Sequence, residues 1–237
     1  MTRRRWIADE VSGSLAVLTG SHAQHLSRVL RARIGQEFDI AAGAEVRRGR
    51  IVQINQDRVE FELGELVPAA AALNVALALS IFKFDRMEWA IEKCTELGVA
   101  RIIPVIASRT EKHLAAAAPK RVERWQRIAR EAAEQSRRTS LPEILVPTSL
   151  QSIFSMPGVA RFVLAESEQE TSLKDALASF TPDRDVLLAI GPEGGWTPAE
   201  IESFQNAQWQ SVSLGGTILR VETAAIAAMA IVQSELS

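Results

Sequence analysis

The first 66 residues show the period-two alternation of apolar and polar positions that is typical of short β-strands. The alternation is clearest at residues 58–63, and strand-like runs precede it at residues 15–18, 37–40 and 49–54. Residues 21–30 instead carry apolar side chains at helical spacing. The pattern predicts a small β-rich module, a compact barrel of five or six strands with one helical interruption.

Beyond residue 73 the period changes, and strand-length apolar runs alternate with stretches at helical spacing. The strand-like runs are residues 75–81, 101–106, 161–165, 185–190 and 210–214, with a weaker one at 144–146. The helix-like stretches are residues 86–97, 119–138, 172–180, 198–205 and 223–235. Such alternation predicts an α/β domain with a largely parallel sheet and helices on both faces. Pro68 and the four alanines after it are the predicted boundary, between domains at 1–70 and 73–237.

The last helical stretch, residues 223–235, has almost no polar face. A helix that is apolar all round must be covered on every side, by its own domain or by a second subunit. The sequence therefore predicts either a dimer or a helix threaded through the fold.

Charge is unevenly distributed along the 237 residues, although the net charge is only −2. Residues 1–50 sum to +4 and residues 101–140 to +6, whereas the two remaining segments sum to −4 and −8. Two basic blocks on an otherwise acidic chain indicate a surface that binds the phosphates of a nucleic acid. The alternative is that they are ordinary solvent-exposed faces of helices and strands. The candidates to bind RNA phosphates are Arg3, Arg4, Arg5, Arg28, Arg31 and Arg33, and a disordered start is the alternative for Arg4 and Arg5.

Composition narrows the classes of protein further. Cys94 is the single cysteine and lies on an apolar helical stripe, which excludes an internal disulfide and favours a cytoplasmic protein. No apolar run approaches the roughly 20 residues of a membrane span, and we expect the basic start not to be a signal peptide. The three histidines are scattered, so no metal site is expected.

Two glycine-rich turns, residues 190–198 and 214–223, each follow an apolar run and precede a helical pattern. In parallel α/β sheets such turns lie at the carboxyl ends of strands, where ligands bind, and two of them suggest two walls of one pocket. Neither turn is a Walker or G-x-G-x-x-G motif, and no serine or cysteine nucleophile is evident. An adenosine-type cofactor held by backbone groups is the natural ligand.

These two turns carry a resemblance to a known family. Together with Lys83, the run 93–98, the run 130–137 followed by Pro142, and the run 25–31 with Gly35, they resemble the 16S ribosomal RNA (uracil-N3)-methyltransferases. That family belongs to the SPOUT superfamily of trefoil-knotted methyltransferases, and the resemblance extends along nearly the whole chain.

The resemblance implies a PUA-like β-barrel that binds RNA, followed by a SPOUT α/β domain with a deep trefoil knot. It also implies S-adenosyl-L-methionine as cofactor, a homodimer, and 16S ribosomal RNA, with the assembled 30S ribosomal subunit, as partner. The implied cofactor-binding residues lie in and around the two turns: Leu164, Ile190, Gly191, Pro192, Glu193, Gly194, Gly195, Leu214, Gly215, Ile218, Leu219 and Thr223. The implied RNA-binding residues are basic: Arg4, Arg28, Arg31, Lys83, Arg137 and Arg138.

Arg220 and Glu222 are the candidate catalytic residues. Arg220 is suited to stabilise negative charge on the uracil oxygens as N3 loses its proton. Glu222 either orients Arg220 or accepts the proton, unless it only caps a helix N-terminus. The competing functions are a ribose 2′-O-methyltransferase and an RNA-binding assembly factor with a relic pocket.

Overall fold

The structure is a computed structural model that describes residues 5–43, 45–68, 74–136, 138–156, 160–178 and 185–236. Its residues form two compact units. The first comprises Met1–Ala71 and Ala133–Leu141, and the second comprises Ala72–Ala132 and Pro142–Ser237. Residues 133–141, which the sequence pattern placed in the second domain, thus belong to the first unit.

The first unit contains a six-stranded sheet and a short helical segment. Its elements are β1 (Arg5–Ile7), β2 (Glu10–Ser12), β3 (Leu15–Thr19), α1 (Gly20–Gln24), a π-helical turn (His25–Val29), β4 (Glu37–Ala42), β5 (Glu45–Ile54) and β6 (Arg58–Leu66). The order across the sheet is β1-β4-β5-β6-β3-β2, with a parallel β1–β4 pair and antiparallel pairs elsewhere. The predicted strand runs and the helical interruption are confirmed.

Alternate strand residues bury the core of this unit. Leu18, Ile40 and Phe61 are fully buried, as is Leu26 of the π-helical turn. Gly49 permits the close packing, because a Cβ at this position would lie 2.3 Å from Cγ1 of Ile40.

The second unit is a parallel seven-stranded sheet with helices on both faces, as predicted. Its strands are β7 (Val75–Ser80), β8 (Arg101–Ile106), β9 (Glu143–Ile144), β10 (Thr148–Ser149), β11 (Ala160–Leu164), β12 (Val186–Ile190) and β13 (Gln210–Val212). The order is β10-β8-β7-β12-β11-β13, and β9 also pairs with β8. Every pair is parallel.

The helices of the second unit pack against opposite faces of this sheet. They are α2 (Phe84–Glu96), α3 (Lys112–Ala117), α4 (Val122–Gln135), α5 (Leu150–Phe154), α6 (Leu173–Leu177), α7 (Pro198–Asn206) and α8 (Val221–Leu236). Leu188 and its alternate neighbours pack with α2, α4, α6 and α8, whereas Leu187 and Ala189 pack with α5 and α7. The two faces of β12 therefore bury two separate cores, which explains its uniformly apolar sequence.

Some elements differ from the sequence pattern. The short α3 and α5 were not predicted, because five or six residues hold too little periodicity to identify a helix. Pro119 lies in a 3₁₀ turn, Ala118–Arg121, and α4 begins only at Val122. The predicted helix over 172–180 is shorter, and its last two residues lie outside the described part of the chain.

Cys94 is fully buried on α2, as predicted, and burial raises the pKa of its thiol to about 12. The apolar helix α8 is covered only in part: Ile226 and Ile231 remain half-buried and Ala230 is exposed. Among the described residues, every helix is too short or too polar to cross a bilayer.

Candidate active site

A pocket of about 1400 Å³ opens at the carboxyl ends of three strands in the second unit. Three loops surround it: residues 165–170 after β11, residues 191–196 after β12 and residues 213–220 after β13. The two glycine-rich turns do form two walls of one pocket, and the loop after β11 adds a third wall that the sequence did not indicate.

Most of the predicted cofactor residues line this pocket. Those that do are Leu164, Ile190, Gly191, Pro192, Glu193, Gly194, Gly195, Leu214, Gly215, Ile218 and Leu219, together with the candidate catalytic residues Arg220 and Glu222. Thr223 is the exception. It lies in the first turn of α8 with an exposed side chain and is not among the lining residues. Helical rotation turns it away from the side on which Glu222 faces the pocket.

Close packing shapes the first glycine-rich loop. A Cβ at Gly191 would lie 3.2 Å from the indole of Trp196, and that indole donates a hydrogen bond of 3.0 Å to the carbonyl oxygen of Leu164. Gly195 has a φ of +70°, and its N–H closes a turn by donating to the carbonyl of Pro192. The loop can therefore present its backbone to a ligand without intervening side chains.

Arg109 secures the same loop from the segment after β8. Its guanidinium donates to the carbonyl oxygens of Gly194 and Trp196. Its side chain also packs closely on Gly194, because a Cβ at Gly194 would lie 3.2 Å from Cδ of Arg109.

Glu200 ties these segments together from the first turn of α7. Thr197 and Glu200 form a capping box at the start of this helix. The same buried carboxylate accepts hydrogen bonds of 2.8 Å from the N–H groups of Ser108 and Thr197. Burial raises the pKa of Glu200, but these hydrogen bonds outweigh it and hold the pKa below its usual range.

The second glycine-rich loop is more open. Gly215 has a φ of +114°, and no atom lies within 4 Å of where its Cβ would be. The side chain of Ile218 is 83% exposed, and Arg220 is exposed just before α8. This loop leaves apolar and cationic side chains available to a ligand.

Arg86 connects the two loops, and the sequence pattern did not single it out. From the first turn of α2, its Nη1 donates to Oε1 of Glu193 at 3.2 Å, while its Nε lies 3.8 Å from Oε1 of Glu222. The Glu222 side chain is 6% exposed, and its Oε2 is buried without a hydrogen-bond partner among the described residues. The cation that lies against Glu222 is thus Arg86, whereas the sequence suggested Arg220.

Four cations of the described residues line the pocket, and they fall into two groups. Arg86 and Arg109 are held by protein oxygens. Lys83 and Arg220 make no ion pair or side-chain hydrogen bond within the described residues. This second group is available to a substrate.

The loop after β11 is acidic. Glu166 and Glu170 are exposed, and Glu168 accepts hydrogen bonds from the N–H groups of Glu170 and Thr171. Hydrogen bonds from the backbone of Thr171 and Glu170 lower the pKa of Glu168. Negative charge on this wall of the pocket favours a cationic ligand. In the sequence, the only indication of this charge is the excess of acidic residues after residue 140.

The other predicted RNA-binding residues lie either in the first unit or outside the residues that the structure describes. Arg28 and Arg31 are exposed in the first unit. Arg138 belongs to the same unit but is half-buried, and burial lowers its pKa to about 10. Arg4 and Arg137 lie outside the described residues. In the ranges that are described, no three or more His, Cys, Asp or Glu side chains form a group that could hold a metal ion.

A parallel α/β sheet with two glycine-rich loops around one deep pocket defines an α/β protein that binds a small organic ligand at its strand ends. Comparison with known proteins narrows that class. Residues 69–233 match the family described as RNA methyltransferase domain. A ribosomal RNA small subunit methyltransferase E of Bacillus subtilis is 34% identical over 232 residues, which cover 92% of this chain and 90% of that protein. The chain therefore belongs to the ribosomal RNA small subunit methyltransferase E family.

Solved structures agree with this assignment. The enzyme of this name from Neisseria gonorrhoeae, bound to S-adenosyl methionine, has a TM-score of 0.83 at 30% identity, covering 98% of this chain and 97% of that chain. A methyltransferase of Legionella pneumophila in complex with the same cofactor has a TM-score of 0.82 at 28% identity, covering 99% and 98% of the two chains.

Proposed function

We propose that this chain transfers the methyl group of S-adenosyl-L-methionine to N3 of a specific uridine in 16S ribosomal RNA. The observation that carries the proposal is one pocket built from both glycine-rich loops, with Arg220 on its wall and without an ion pair to any described residue. Family membership supports the reaction class. The target atom rests on the resemblance of the two loop sequences.

The pocket fits the cofactor. Its volume exceeds the roughly 300–1,000 Å³ of common ligand sites, so it has room for the cofactor and part of a substrate. Backbone groups of Gly191–Gly195 and Leu214–Leu219 would hold the adenosine moiety, and the acidic loop after β11 would favour the positive charge of the sulfonium. When bound, the cofactor supplies an electrophilic methyl group.

Arg220 stabilises the negative charge that develops on the uracil oxygens as N3 loses its proton. Arg220 is exposed and makes no ion pair in the described ranges, which leaves the guanidinium available for that task. Glu222 acts by positioning. Its Oε1 lies 3.8 Å from Nε of Arg86, which in turn donates to Glu193 of the first glycine-rich loop, so Glu222 helps to hold Arg86 between the two.

Residues 1–70 serve as the RNA-binding domain, to which residues 133–141 add as part of the first unit, and the rest of residues 73–237 serves as the catalytic domain. The six-stranded sheet with its exposed Arg28 and Arg31 suits a PUA-like barrel that grips phosphates. Lys83, exposed at the pocket, would contact the RNA near the reacting base.

Three further features are part of the proposal. The chain forms a homodimer through α8, whose half-buried Ile226 and Ile231 call for an apolar cover. The second unit contains the deep trefoil knot of the SPOUT superfamily, which the sequence resemblance supports. The substrate is the assembled 30S subunit, so the enzyme works in the cytoplasm.

Methyl transfer with labelled S-adenosylmethionine tests the proposal. Small subunits that lack the modification, and naked 16S RNA in parallel, would be incubated with the protein and digested to nucleosides. We expect label in 3-methyluridine, and more of it from the assembled subunit. Label in a 2′-O-methylated nucleoside would overturn the target atom. No label, with no binding of the cofactor, would favour an assembly factor.

Arg220→Ala tests the assignment of the residue. Transfer should fall by roughly 10²- to 10³-fold, as when one donor to a developing oxyanion is removed, while the dissociation constant of the cofactor changes little. Arg101→Ala is the matched control, since Arg101 is exposed on β8 and pairs with Glu143 away from the pocket. Loss of cofactor binding in Arg220→Ala would assign Arg220 a structural role instead.

A further inference from the structure

The segment of residues 28–34 in the first unit presents an unusual surface, which we term the 28–34 surface. Three apolar side chains on it are exposed: Val29 at 66%, Leu30 at 39% and Ile34 at 69%. Three exposed arginines, Arg28, Arg31 and Arg33, alternate with them. Single exposed aliphatic residues are ordinary, but three within six residues interleaved with cations mark an interaction site.

The arginines of this surface differ from the other arginines in the same unit. Arg47, Arg50 and Arg58 on the sheet each pair with a glutamate at 3.0 Å or less. By contrast, Arg31 and Arg33 have no ion pair within the described residues, and Arg28 donates only to the neutral Gln56. The segment from 28 to 36 contains no acidic residue. Its three positive charges are therefore uncompensated, which suits a polyanion.

The backbone holds the surface in place. The N–H of Leu30 donates to His25, and that of Ala32 donates to Leu26, whose side chain is fully buried. Beyond them, the N–H of Gly35 donates to Ile51 at 2.8 Å. Arg31 is held at a φ of +49°, a conformation that non-glycine residues seldom adopt. Exposed apolar groups on an anchored loop lose little entropy on binding, which favours a binding role over an incidental exposure.

We propose that the 28–34 surface binds a single-stranded stretch of RNA, with the arginines on its phosphates and the aliphatic side chains against an unstacked base. The proposal rests on the proposed function, because it assumes that RNA is the substrate. Uncompensated positive charge selects RNA over an apolar protein partner. The exposed aliphatic side chains need an apolar surface to pack against. A phosphate has no such surface, whereas the face of an unpaired base does.

Two probes separate the parts of the surface. The first is a fluorescein-labelled oligouridine of twelve nucleotides, and the second is an abasic oligomer of equal length, which keeps the phosphates and lacks the bases. Affinities for the full chain are measured over a range of salt concentrations. We expect the wild type to bind oligouridine more tightly than the abasic oligomer.

Two double variants then address the two residue types. V29T/I34T replaces apolar groups with hydroxyls and should weaken oligouridine binding roughly three- to tenfold while leaving the salt dependence unchanged. R31Q/R33Q should instead reduce the slope of log K against log salt by about 0.7 for each phosphate that is no longer neutralised, with the preference for bases retained. V11T/V52T is the matched control, because Val11 and Val52 are exposed elsewhere in the same unit.

The measurements distinguish RNA binding by the 28–34 surface from misfolding of the variants and from a protein interface at this surface. Thermal midpoints equal to that of the wild type show that the variants fold. Equal affinity of V29T/I34T for both probes supports the proposal. An unchanged preference for oligouridine in V29T/I34T overturns it, and so does a V29T/I34T variant that dissociates into monomers, since the surface would then be a protein interface. If the wild type methylates small subunits while neither double variant affects RNA binding, the surface proposal fails and the proposed function stands.

Discussion

Replacing Arg86 with glutamine removes the cation that faces two glutamates in the pocket wall. In the structure, Arg86 contacts Glu193 at 3.2 Å and lies 3.8 Å from Glu222. Glu193 is partly exposed and can turn to water. Glu222 is buried and cannot, so the substitution leaves a buried carboxylate without a compensating charge.

The loss of stability expected for Arg86→Gln follows from the burial of the two side chains and the distance between them. Breaking a fully buried ion pair costs about 3–5 kcal/mol, because the remaining charge is stranded. Arg86 is one-third exposed, and its 3.8 Å separation from Glu222 is longer than a hydrogen bond, so the expected cost of losing it is about 1–2 kcal/mol. For a chain of this size that corresponds to a decrease of about 2–8 °C in the thermal midpoint.

A double-mutant cycle with Arg86→Gln and Glu222→Gln measures the coupling. Thermal unfolding gives stability, and titration calorimetry with S-adenosylmethionine gives affinity. Because Glu222→Gln removes the stranded charge, the double variant should recover most of the stability that Arg86→Gln loses. Arg101→Gln is the control. Its ion pair with Glu143 is about half exposed and should contribute no more than about 1 kcal/mol.

Either of two results would show that Arg86 does not stabilise the buried charge of Glu222. One is an Arg86→Gln variant as stable as Arg101→Gln. The other is strict additivity of the Arg86 and Glu222 substitutions, which would mean that the two side chains do not interact.

Three further predictions concern the loops and the core. Glu200→Gln should destabilise the protein at pH 7. Because folding depresses the pKa of Glu200, the stability that its carboxylate contributes is fully present above pH 4.5, the ordinary pKa, and is lost as the pH falls through the lower folded pKa. The stabilities of variant and wild type, measured at decreasing pH, should therefore converge. A variant that stays equally less stable at every pH would contradict this account. Gly215→Ala should weaken cofactor binding and cost roughly 1–2 kcal/mol of loop strain, because φ at this position is +114°. The neighbouring Gly216 has open space and no positive φ, so Gly216→Ala should leave the affinity measured by calorimetry nearly unchanged. Equal effects of the two substitutions would show that φ is not the cause. Cys94, with its pKa raised to about 12 by burial, should resist iodoacetamide at pH 8 in the native protein and react once urea unfolds it, as mass spectrometry would show; rapid native alkylation would place the thiol at the surface.

Local patterns in the sequence predict much of the fold. The apolar runs at β7, β8, β11 and β12 and the capping box at Thr197 are decided by residues within a few positions of each other. The two glycine-rich loops could be placed at one pocket because parallel strands all end at the same edge of the sheet.

What the sequence did not predict depends on contacts between distant residues. Arg86 and Glu193 are 107 positions apart, and Glu200 and Ser108 are 92 apart. Nothing near Arg86 distinguishes it from any other arginine in the first turn of a helix. The order of the six strands in the first unit likewise depends on pairings that no local period encodes.

The pairing of β7 with β12 has a consequence for the growing chain. Val75 pairs with Val186, more than one hundred residues later, and β7 lies in the middle of the sheet. During synthesis, β7 therefore waits with one hydrogen-bonding edge open until most of the second unit has left the ribosome. Its sequence, Val-Ala-Leu-Ala-Leu-Ser, has the apolar character of an aggregation-prone strand. Because such distant pairings make folding slow, this enzyme should depend on chaperones at the ribosome, the assembly whose RNA it is proposed to modify.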